Sequence, residues 1–556
     1  MPMLRRLKKA LLYAGAGLVL VLLLVLLYGA LLQTELGRKH LNNEALAHTS
    51  NGWVQGWRLP GHSVFVGIPY AQAPVGALRF AAPQPAVAWG GTQQALLPKP
   101  SCAQPAVPEL RVPQSTAEDC LGLNIFKPVN HTGKPLPVML WLHGGGFVIG
   151  SGNFTLAGEL AQRGQVLVVA INYRLGVLGF LAHPALGAED GRAVGNYGLL
   201  DQQMAIDWVG RNAAAFGGDP RNITLFGQSA GGSSVCAQLM SPAMAGKFQA
   251  AIVQSGVCST QLMQSMPDAL QLGEKLAQQV GCQGQGRDIA ACLRAQPVAK
   301  LLPLLGKVGA TSEVPLRPVY GSTVLPEAPD AAFASGHFHR VPVMVGSTRD
   351  EGRMLVALEI NQAIQQGQAA TQAMQPAQLQ TYFRRAVTAA LQAHYPPKDF
   401  AGDTRLAFSA MLTDGLFACS AEQMRQDLSR HGVAVYGYEF AEAPPGSLIK
   451  NDQSGVVQGA YHGAEFASLF YYPFFNLTPV QAQLAEDMKD YWASFARGHA
   501  PQAQRKGAAA WPAYTAAQPA VLQLQAKGSV PSLDFAQRHR CAAWQPAAGS
   551  VGAEVK

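Results

Sequence analysis

Apolar and polar residues follow several different patterns along the 556-residue chain. Residues 52–80 alternate between the two kinds and are punctuated by glycine and proline, which predicts an antiparallel meander of strands. Short, continuous apolar runs then occur at residues 135–142, 166–171, 222–226 and 341–347. Such runs are typical of strands that are buried on both faces of a parallel sheet. Residues 199–216 and 231–240 have helical spacing, so the alternation of strand and helix predicts a doubly wound α/β sheet.

Two later segments depart from this alternation. Residues 360–387 are rich in glutamine and alanine with recurring apolar positions, and we expect them to be helical and to cap the sheet. No internal repeat and no linker interrupts the chain, which predicts a single large domain over residues 45–545. We expect the last residues, 546–556, to be disordered.

The N-terminus carries a long apolar run at residues 10–32, in which two tyrosines are the only ionisable groups. A helix of this length spans about 34 Å, enough to cross a bilayer core of about 30 Å. Basic residues precede it, which places segment 1–9 in the cytoplasm and predicts an uncleaved signal anchor, followed by a juncture at 33–44. A signal peptide cleaved near Gly29 is the alternative, and a buried soluble helix is a third.

Amino-acid composition and net charge limit the classes of molecule that the protein is expected to bind. The chain is 48% hydrophobic and 14% charged, which is typical of a globular protein with a large core. Its formal charge of +8 is concentrated at the N-terminus: residues 1–40 hold six basic residues against one acidic residue, +5, which leaves +3 for the rest. Because no Lys/Arg-rich run with interleaved aromatics follows, the sequence does not support nucleic-acid binding.

Ser229 is the candidate nucleophile. It lies at the centre of Gly227–Gly231, the single G-x-S-x-G pattern of the chain, after the apolar run 222–226 and before the helical segment 231–240. A serine on such a strand-to-helix turn forms a nucleophile elbow, and the N-terminus of the helix beneath it favours developing negative charge. The alternative is a glycine-rich turn that only leads into a helix.

A second glycine-rich loop, His143–Phe147 (HGGGF), follows the run 135–142. Loops of this type expose backbone N–H groups that stabilise the oxyanion of an acyl-transfer reaction. The alternative, a tight turn at the end of a strand, does not need three consecutive glycines. The serine and the loop together predict an acyl-transfer site.

The segment Phe216–Gly231 resembles the serine signature of the type-B carboxylesterase/lipase family, which includes the cholinesterases. Glu118–Pro128 resembles the second signature of that family, except that Gly122 stands where an aromatic residue is usual. Further matching motifs occur in order over residues 45–545. The resemblance implies the α/β-hydrolase fold, an α/β architecture in which helices flank a mostly parallel central sheet and helical segments cap it. It also implies ester hydrolysis without a metal or cofactor.

By the same resemblance the active site is a Ser-Glu-His triad. Glu351, in GSTRDEG, stands where the family has its acid, with Asp350 as the fallback and a surface carboxylate as the plain alternative. His462, in GAYHGAEF, stands where the family has its base. We expect His462 to take the proton of Ser229 during attack and Glu351 to orient the imidazole ring.

The resemblance also assigns groups around the triad. The oxyanion donors would be the backbone N–H groups of Gly145, Gly146 and Ala230. Glu118 and Arg174 resemble a structural ion pair of the family, and they are therefore excluded from the site.

Eight cysteines occur in the chain, at positions 102, 120, 236, 258, 282, 292, 419 and 541. None forms a C-x-x-C pair or a zinc-like Cys/His spacing, so disulfides formed in an oxidising compartment are the expected use. Spacing alone leaves their connectivity open. The family resemblance implies the pairs Cys102–Cys120, Cys282–Cys292 and Cys419–Cys541, and it leaves Cys236 and Cys258 as free, buried thiols.

Two departures from the cholinesterase pattern argue against choline esters as substrates. Gln228 precedes the nucleophile where cholinesterases have glutamate, and no tryptophan lies between Cys102 and Cys120. A cation–π site for choline therefore has no support. Trp141 and Phe147, beside the glycine loop, suggest an apolar pocket wall, with a plain core role for Trp141 as the alternative.

These features predict an exported serine carboxylesterase that acts on a small-molecule ester in the periplasm or outside the cell. Segment 10–32 would tether it to the membrane, or the enzyme would be secreted if that segment is removed. A lipase or polyester hydrolase with the same triad is the alternative among enzymes. A non-catalytic adhesion protein on this fold is the remote alternative, because such proteins typically lose the serine that is present here.

Overall fold

The computed structural model describes residues 44–130, 133–187, 194–284, 286–305, 316–368, 382–383 and 388–544. The predicted signal segment at 10–32 and the predicted tail at 546–556 lie outside these ranges. So do residues 369–381 and 384–387 of the predicted cap at 360–387. Within the described ranges, no helix is long and apolar enough to span a membrane.

The described residues form a 13-stranded sheet and a separate two-stranded sheet. The strands, numbered in chain order, are β1 Glu44–Thr49, β2 Gly52–Arg58, β3 His62–Pro69, β4 Thr92–Gln94, β5 Gly122–Pro128, β6 Leu136–Leu142, β7 Leu167–Ile171, β8 Gly218–Gln228, β9 Ala250–Gln254, β10 Gln264–Ser265, β11 Val319–Tyr320, β12 Val343–Thr348, β13 Val435–Phe440, β14 Val521–Leu524 and β15 Val530–Ser532. The large sheet has the order β1-β2-β3-β5-β7-β6-β8-β9-β12-β13-β14-β15, and β4 pairs with β2.

Seven adjacent strands of the large sheet, from β7 to β14, run parallel. Antiparallel strands flank them at both ends. Every residue of β6 and β7 is buried, as the continuous apolar runs predict. The predicted antiparallel meander at 52–80 is confirmed for β2 and β3, whereas residues 70–80 contain a short 3₁₀ turn and no strand. Because the carboxyl ends of parallel strands share one edge of a sheet, the loops after β6, β8, β12 and β13 meet there.

Helices cover both faces of this sheet. In chain order they are α1 Gly158–Gly164, α2 Gly176–Phe180, α3 Pro184–Gly187, α4 Tyr197–Asn212, α5 Ala230–Met240, α6 Met266–Gln279, α7 Arg287–Ala295, α8 Val298–Leu301, α9 Pro329–Ser335, α10 Glu351–Gln365, α11 Ala389–Gln392, α12 Thr404–Leu412, α13 Cys419–Arg430, α14 Phe466–Leu469, α15 Pro479–Gly498 and α16 Phe535–Arg538. A π-helical segment, Thr413–Ala418, joins α12 to α13. Alternate residues of β6 enter two apolar clusters, with Leu140 in one and Met139 in the other, so the core lies on both sides of the sheet.

Two predicted boundaries differ from the structure. The predicted strand at 222–226 is the end of the longer β8, which begins at Gly218 because that residue pairs with Leu136. The predicted helix at 199–216 ends as α4 at Asn212, and a 3₁₀ turn, Ala213–Phe216, completes it. Neither difference moves the turn that carries Ser229.

Four disulfides join all eight cysteines. Three are the pairs that the resemblance implied: Cys102–Cys120, Cys282–Cys292 and Cys419–Cys541. The prediction that Cys236 and Cys258 are free thiols is wrong, because the two are bonded to each other with Cα atoms 5.7 Å apart. Cys236 lies on α5 and Cys258 follows β9, and these elements become neighbours only through the sheet order.

The implied ion pair between Glu118 and Arg174 is also wrong. Arg79 donates from Nε to Glu118 at 2.7 Å and makes a second contact from Nη2. Arg174 pairs instead with the fully buried Asp201 at 2.7 Å. Arg174 follows β7 and packs against α4, which carries Asp201, so the partner is set by the neighbouring helix. Both arginines serve structural ion pairs.

Candidate active site

Ser229 occupies the sharp turn between β8 and α5. Its backbone has φ 57° and ψ −125°, a conformation that residues other than glycine rarely adopt. Two backbone hydrogen bonds hold the turn: Ser229 N–H donates to the Gln254 carbonyl, and Ser233 N–H donates to the Ser229 carbonyl, each at 2.9 Å. Within the described residues the Ser229 hydroxyl has no hydrogen-bond partner. A strained backbone that its neighbours hold in place is common at functional sites.

Gly231 makes this turn possible. A Cβ atom on Gly231 would lie 1.9 Å from the carbonyl oxygen of Leu142 at the end of β6. The start of α5 therefore packs directly against the backbone of β6, which explains in steric terms the second glycine of the G-x-S-x-G pattern. This close approach also brings Ser229 next to the loop that follows β6.

Glu351 and His462 are in direct contact. The distance between His462 Nδ1 and Glu351 Oε2 is 2.5 Å. Glu351 is fully buried at the start of α10, and its other carboxylate oxygen accepts the N–H of Thr348 at 2.7 Å. Because Nδ1 faces a carboxylate, that nitrogen carries the proton of the neutral ring and Nε2 is left as the acceptor. This is the arrangement of an acid that orients a base.

Asp350, the fallback for the acid, is engaged elsewhere. It forms ion pairs with Arg349 and Arg353 at 3.1 and 2.8 Å. Its carboxylate also accepts the backbone N–H of Ala460 at 2.8 Å. Asp350 thus fixes one end of the loop that carries His462, and the geometry favours Glu351 as the partner of the imidazole.

The remaining faces of His462 are also occupied. Gln228, directly before the nucleophile, places its side-chain Nε2 atom 3.1 Å from His462 Nε2. Phe417 packs against the imidazole from the π-helical segment, with ring centroids 4.8 Å apart. Phe417 was not predicted from the sequence, because neither a motif nor a periodicity marks a π-helical turn.

The glycine loop His143–Phe147 lies beside the nucleophile. Gly145 has φ 116°, and a Cβ atom there would lie 2.1 Å from the carbonyl oxygen of Ile149, so only glycine fits. Within the described residues, the N–H groups of Gly145, Gly146 and Ala230 have no hydrogen-bond acceptor. Three donors are therefore free at the predicted oxyanion positions.

Two buried side chains that sequence analysis did not assign hold this loop. Tyr173 stacks on His143 with ring centroids 4.3 Å apart, and its hydroxyl donates to the His143 carbonyl at 2.7 Å. Burial lowers the pKa of His143 to about 4, so this ring is neutral at neutral pH. Gln104, inside the Cys102–Cys120 loop, accepts from the N–H of Gly150 at 2.9 Å and donates to its carbonyl at 3.0 Å.

A cavity of about 310 Å³ contains Ser229 and His462 in its wall. Most of the other wall residues are apolar, among them Leu110, Trp141, Phe147, Met354, Phe417 and Phe466. The part of the wall that the structure describes contains no aspartate or glutamate. Trp141 lines the cavity and also belongs to the apolar core, since its ring packs against Phe226 with ring centroids 4.8 Å apart.

A second carboxylate, Glu465, is fully buried three residues after the histidine. Burial, followed by the charge of Glu351, raises the pKa of Glu465 to about 7. One of its oxygens accepts from Gln254 Nε2 at 3.3 Å, and the other has no partner among the described atoms. Near neutral pH a fraction of Glu465 is therefore uncharged, which limits its repulsion of Glu351.

Comparisons with known proteins place the chain in one family. Residues 43–544 match the sequence profile of the carboxylesterase family. The chain is 34% identical over 478 residues to "Pyrethroid hydrolase Ces2a" of Mus musculus, with 81% of this chain and 82% of the relative covered. It is 33% identical to "Acylcarnitine hydrolase" of Mus musculus, with 84% and 85% covered. It is 31% identical to "Acetylcholinesterase" of Bungarus fasciatus, with 90% and 86% covered.

The family match extends over nearly the whole described chain, and it agrees with the architecture. The parallel sheet with helices on both faces is the α/β-hydrolase fold expected of these enzymes, so the predicted resemblance and fold are confirmed. The chain belongs to the carboxylesterase family and is a carboxylic ester hydrolase.

Proposed function

We propose that ester hydrolysis in this protein uses Ser229 as nucleophile, His462 as base and Glu351 as acid, with an acyl-enzyme intermediate. The observation that carries the proposal is the 2.5 Å contact between Glu351 and His462 in the wall of the cavity that also contains Ser229. The three residues follow β8, β12 and β13, whose carboxyl ends lie on the same edge of the sheet. Such convergence of distant segments is expected of a triad.

The proposed steps follow from the atoms in place. Ser229 Oγ attacks the ester carbonyl carbon while its proton passes to His462 Nε2. His462 then returns this proton to the leaving alcohol as the ester C–O bond breaks, which leaves an acyl-serine. Water repeats the sequence: its proton goes to His462, its oxygen adds to the acyl carbon, and the carboxylic acid leaves as Ser229 regains a proton. Glu351 stays ionised and stabilises the imidazolium.

The free N–H groups of Gly145, Gly146 and Ala230 are proposed to bind the oxyanion of each tetrahedral intermediate. A donor of this kind contributes about 2.7–4 kcal/mol to transition-state stabilisation. The φ of Gly145 and the clamps on His143 and Gly150 support the role, because they fix the loop before substrate arrives. Donors that are already oriented need no reorganisation during the reaction.

The cavity, whose wall is mostly apolar, supports a small ester with apolar groups as the substrate. Its volume of about 310 Å³ is at the lower end of the usual range for ligand pockets, about 300–1,000 Å³. This size favours a single small ester over a polyester chain. The named relatives include a pyrethroid hydrolase and an acylcarnitine hydrolase, but the described wall lacks the acidic side chain that would offset a cationic substrate.

Export is part of the same proposal. The four disulfides support it, because disulfides persist mainly in oxidising compartments. Segment 10–32, as a signal anchor or a cleaved signal peptide, would direct the enzyme to the periplasm or the outside of the cell. N-terminal sequencing of the mature protein distinguishes the two: a start near residue 31 contradicts the anchor.

A fluorophosphonate probe, which labels activated serines covalently, tests the proposed nucleophile. We expect the wild-type protein to be labelled and Ser229→Ala to lose the label. Ser233→Ala is the matched control, since Ser233 lies one turn later on α5 and its hydroxyl accepts the N–H of Val257 at 3.0 Å. Labelling that persists in Ser229→Ala would contradict the proposed nucleophile.

A further inference from the structure

Gln228 is buried directly before the nucleophile, and its side chain reaches the base. Its Nε2 atom lies 3.1 Å from His462 Nε2, and only 3% of the residue is exposed. Because Glu351 holds the proton on His462 Nδ1, Nε2 of the neutral ring can only accept a hydrogen bond. The amide of Gln228 therefore donates to the same lone pair that must receive the proton of Ser229.

Hydrogen-bond chemistry sets the orientation of the amide. A Cβ atom on Gly144 would lie 2.8 Å from Gln228 Oε1, so the amide oxygen faces the glycine loop while the nitrogen faces the histidine. Exchanging the two amide atoms would place an oxygen against the unprotonated Nε2 of His462, and two acceptors would then face each other. The hydrogen-bond chemistry of a ring that is protonated at Nδ1 therefore assigns a donating amide.

Two carboxylates lie near His462, and Arg317 lies in the wall of the same cavity. Glu351 contacts it from the start of α10, and Glu465 lies three residues further along the same loop. Phe417, from the π-helical segment, covers the ring without adding charge. The neighbours from β8 and the turn before α5 are Gln228 and the nucleophile, which are neutral. A carboxylate at position 228 would add a negative charge in contact with the imidazole.

We propose that Gln228 is a positioning residue for ester hydrolysis, an inference that rests on the proposed triad. In the resting enzyme its amide holds His462 Nε2, and it releases that nitrogen to Ser229 when substrate is in place. The amide stabilises the unprotonated imidazole, because the N–H of an imidazolium would face the N–H of Gln228. A carboxylate at the same position would favour the imidazolium instead, because it would accept the N–H of Nε2.

The acid limb of the pH profile of kcat/KM tests this role. Gln228→Glu introduces an opposite charge next to the imidazolium and should move the midpoint of that limb to higher pH by about 1–3 units. Gln228→Met has a similar size but no donor, and the loss of one hydrogen bond should move the midpoint in the same direction by about 0.5–1 unit. The expected order of midpoints is wild type, then Met, then Glu.

Two further variants keep the test informative. Gln228→Asn retains the amide but is one methylene shorter, so it cannot span the 3.1 Å contact and should behave like the methionine variant. Gln203→Met is the matched control, since Gln203 is a buried glutamine on α4 whose amide donates to Gln238 and Ser241 instead. The control should leave the acid limb where the wild type has it.

The outcomes separate this role from a structural one and from failure of the triad. Variants at 228 that lose activity while the midpoint stays at the wild-type pH would overturn the proposal, because loss of packing alone does not change a titration. Failure of the triad is detected independently, by fluorophosphonate labelling of Ser229→Ala. If the midpoints follow the expected order while labelling requires Ser229, both proposals are supported.

Discussion

Thr413 ties the proposed acid to the π-helical segment: its hydroxyl oxygen accepts the backbone N–H of Gly352, next to Glu351, at 2.9 Å. Four residues later in the same segment, Phe417 packs against His462. One irregular helical turn therefore braces both members of the acid–base pair. Single π-helical turns are frequent at functional sites, because they re-aim the side chains of a helix.

Phe417→Leu should lower kcat by about 2- to 10-fold with little change in KM. The estimate follows from the usual value of an aromatic pair, about 0.5–1.5 kcal/mol, lost when the imidazole has less to pack against. Steady-state kinetics with a p-nitrophenyl ester, together with thermal unfolding to confirm a folded variant, provide the measurement. An unchanged kcat in a folded variant would show that the ring does not depend on Phe417.

Glu351→Gln should reduce kcat by about 10⁴-fold while KM changes little, because an amide does not hold the required tautomer or stabilise the imidazolium. Asp350→Asn is the matched substitution one residue earlier. It should retain most activity and lose thermal stability, since it weakens two ion pairs and the contact to Ala460. The reverse pattern of activities would identify Asp350 as the acid.

The buried His539 should make the folded protein less stable as the pH becomes alkaline. It is buried between Asp414 at 2.6 Å and Glu439 at 2.7 Å. Burial acts to lower its pKa, but the hydrogen bonds to the two carboxylates outweigh burial and raise the pKa from 6.5 to about 9. Because the folded-state pKa lies above the unfolded-state value, this contribution to stability is complete below about pH 6.5 and is lost as pH rises through about 9.

The free energy of unfolding should therefore fall between about pH 6.5 and 9, by up to about 1.4 kcal/mol per pH unit from this residue. Urea unfolding at several pH values gives the slope. His539→Gln should be less stable at pH 6.5 and should show a flatter slope than the wild type. Equal slopes would mean that another group carries the pH dependence.

Thiol titration tests the corrected cysteine assignment. If all eight cysteines are paired, as the structure has them, the denatured but unreduced protein should give no reaction with a thiol reagent. After reduction it should give eight thiols per chain. Two thiols before reduction, located at Cys236 and Cys258 by peptide mapping, would instead restore the free-thiol assignment.

The cavity should discriminate against cationic esters. Acetylcholine and 3,3-dimethylbutyl acetate have nearly the same shape, but only the first carries a charge. Because the described wall holds Arg317 but no acidic side chain, the ammonium group would lose water without gaining a carboxylate partner. We expect kcat/KM to be at least about tenfold higher for the neutral ester, a difference of about 1.4 kcal/mol. Equal values would show that an anionic group outside the described wall reaches the substrate.

The sequence was informative wherever local pattern controls structure. The continuous apolar runs predicted β6, β7 and β12, because strands buried on both faces consist mainly of apolar residues. The elbow at Ser229 could be predicted from a strand, a glycine turn and a helix in succession. Glu351 and His462 were identified by family motifs alone, and the structure places them in contact.

The remaining features depend on which elements become neighbours in space. Arg79 meets Glu118, and Cys236 meets Cys258, only after the chain has folded, so local spacing carried no signal for either pair. No characteristic amino-acid composition marks the π-helical segment that carries Phe417. Gln228 could be recognised in the sequence as a departure from the family pattern. Its contact with His462 could not be predicted, because it depends on how the two segments pack in the fold.

The order of the site residues along the chain has a consequence for biosynthesis. His462 follows Glu351 by 111 residues, and its loop comes after β13, near the end of the sheet. A nascent or partly translocated chain that ends before this loop contains the nucleophile and the acid but no base. In the proposed mechanism, esterase activity therefore begins only when the C-terminal part has been made and folded.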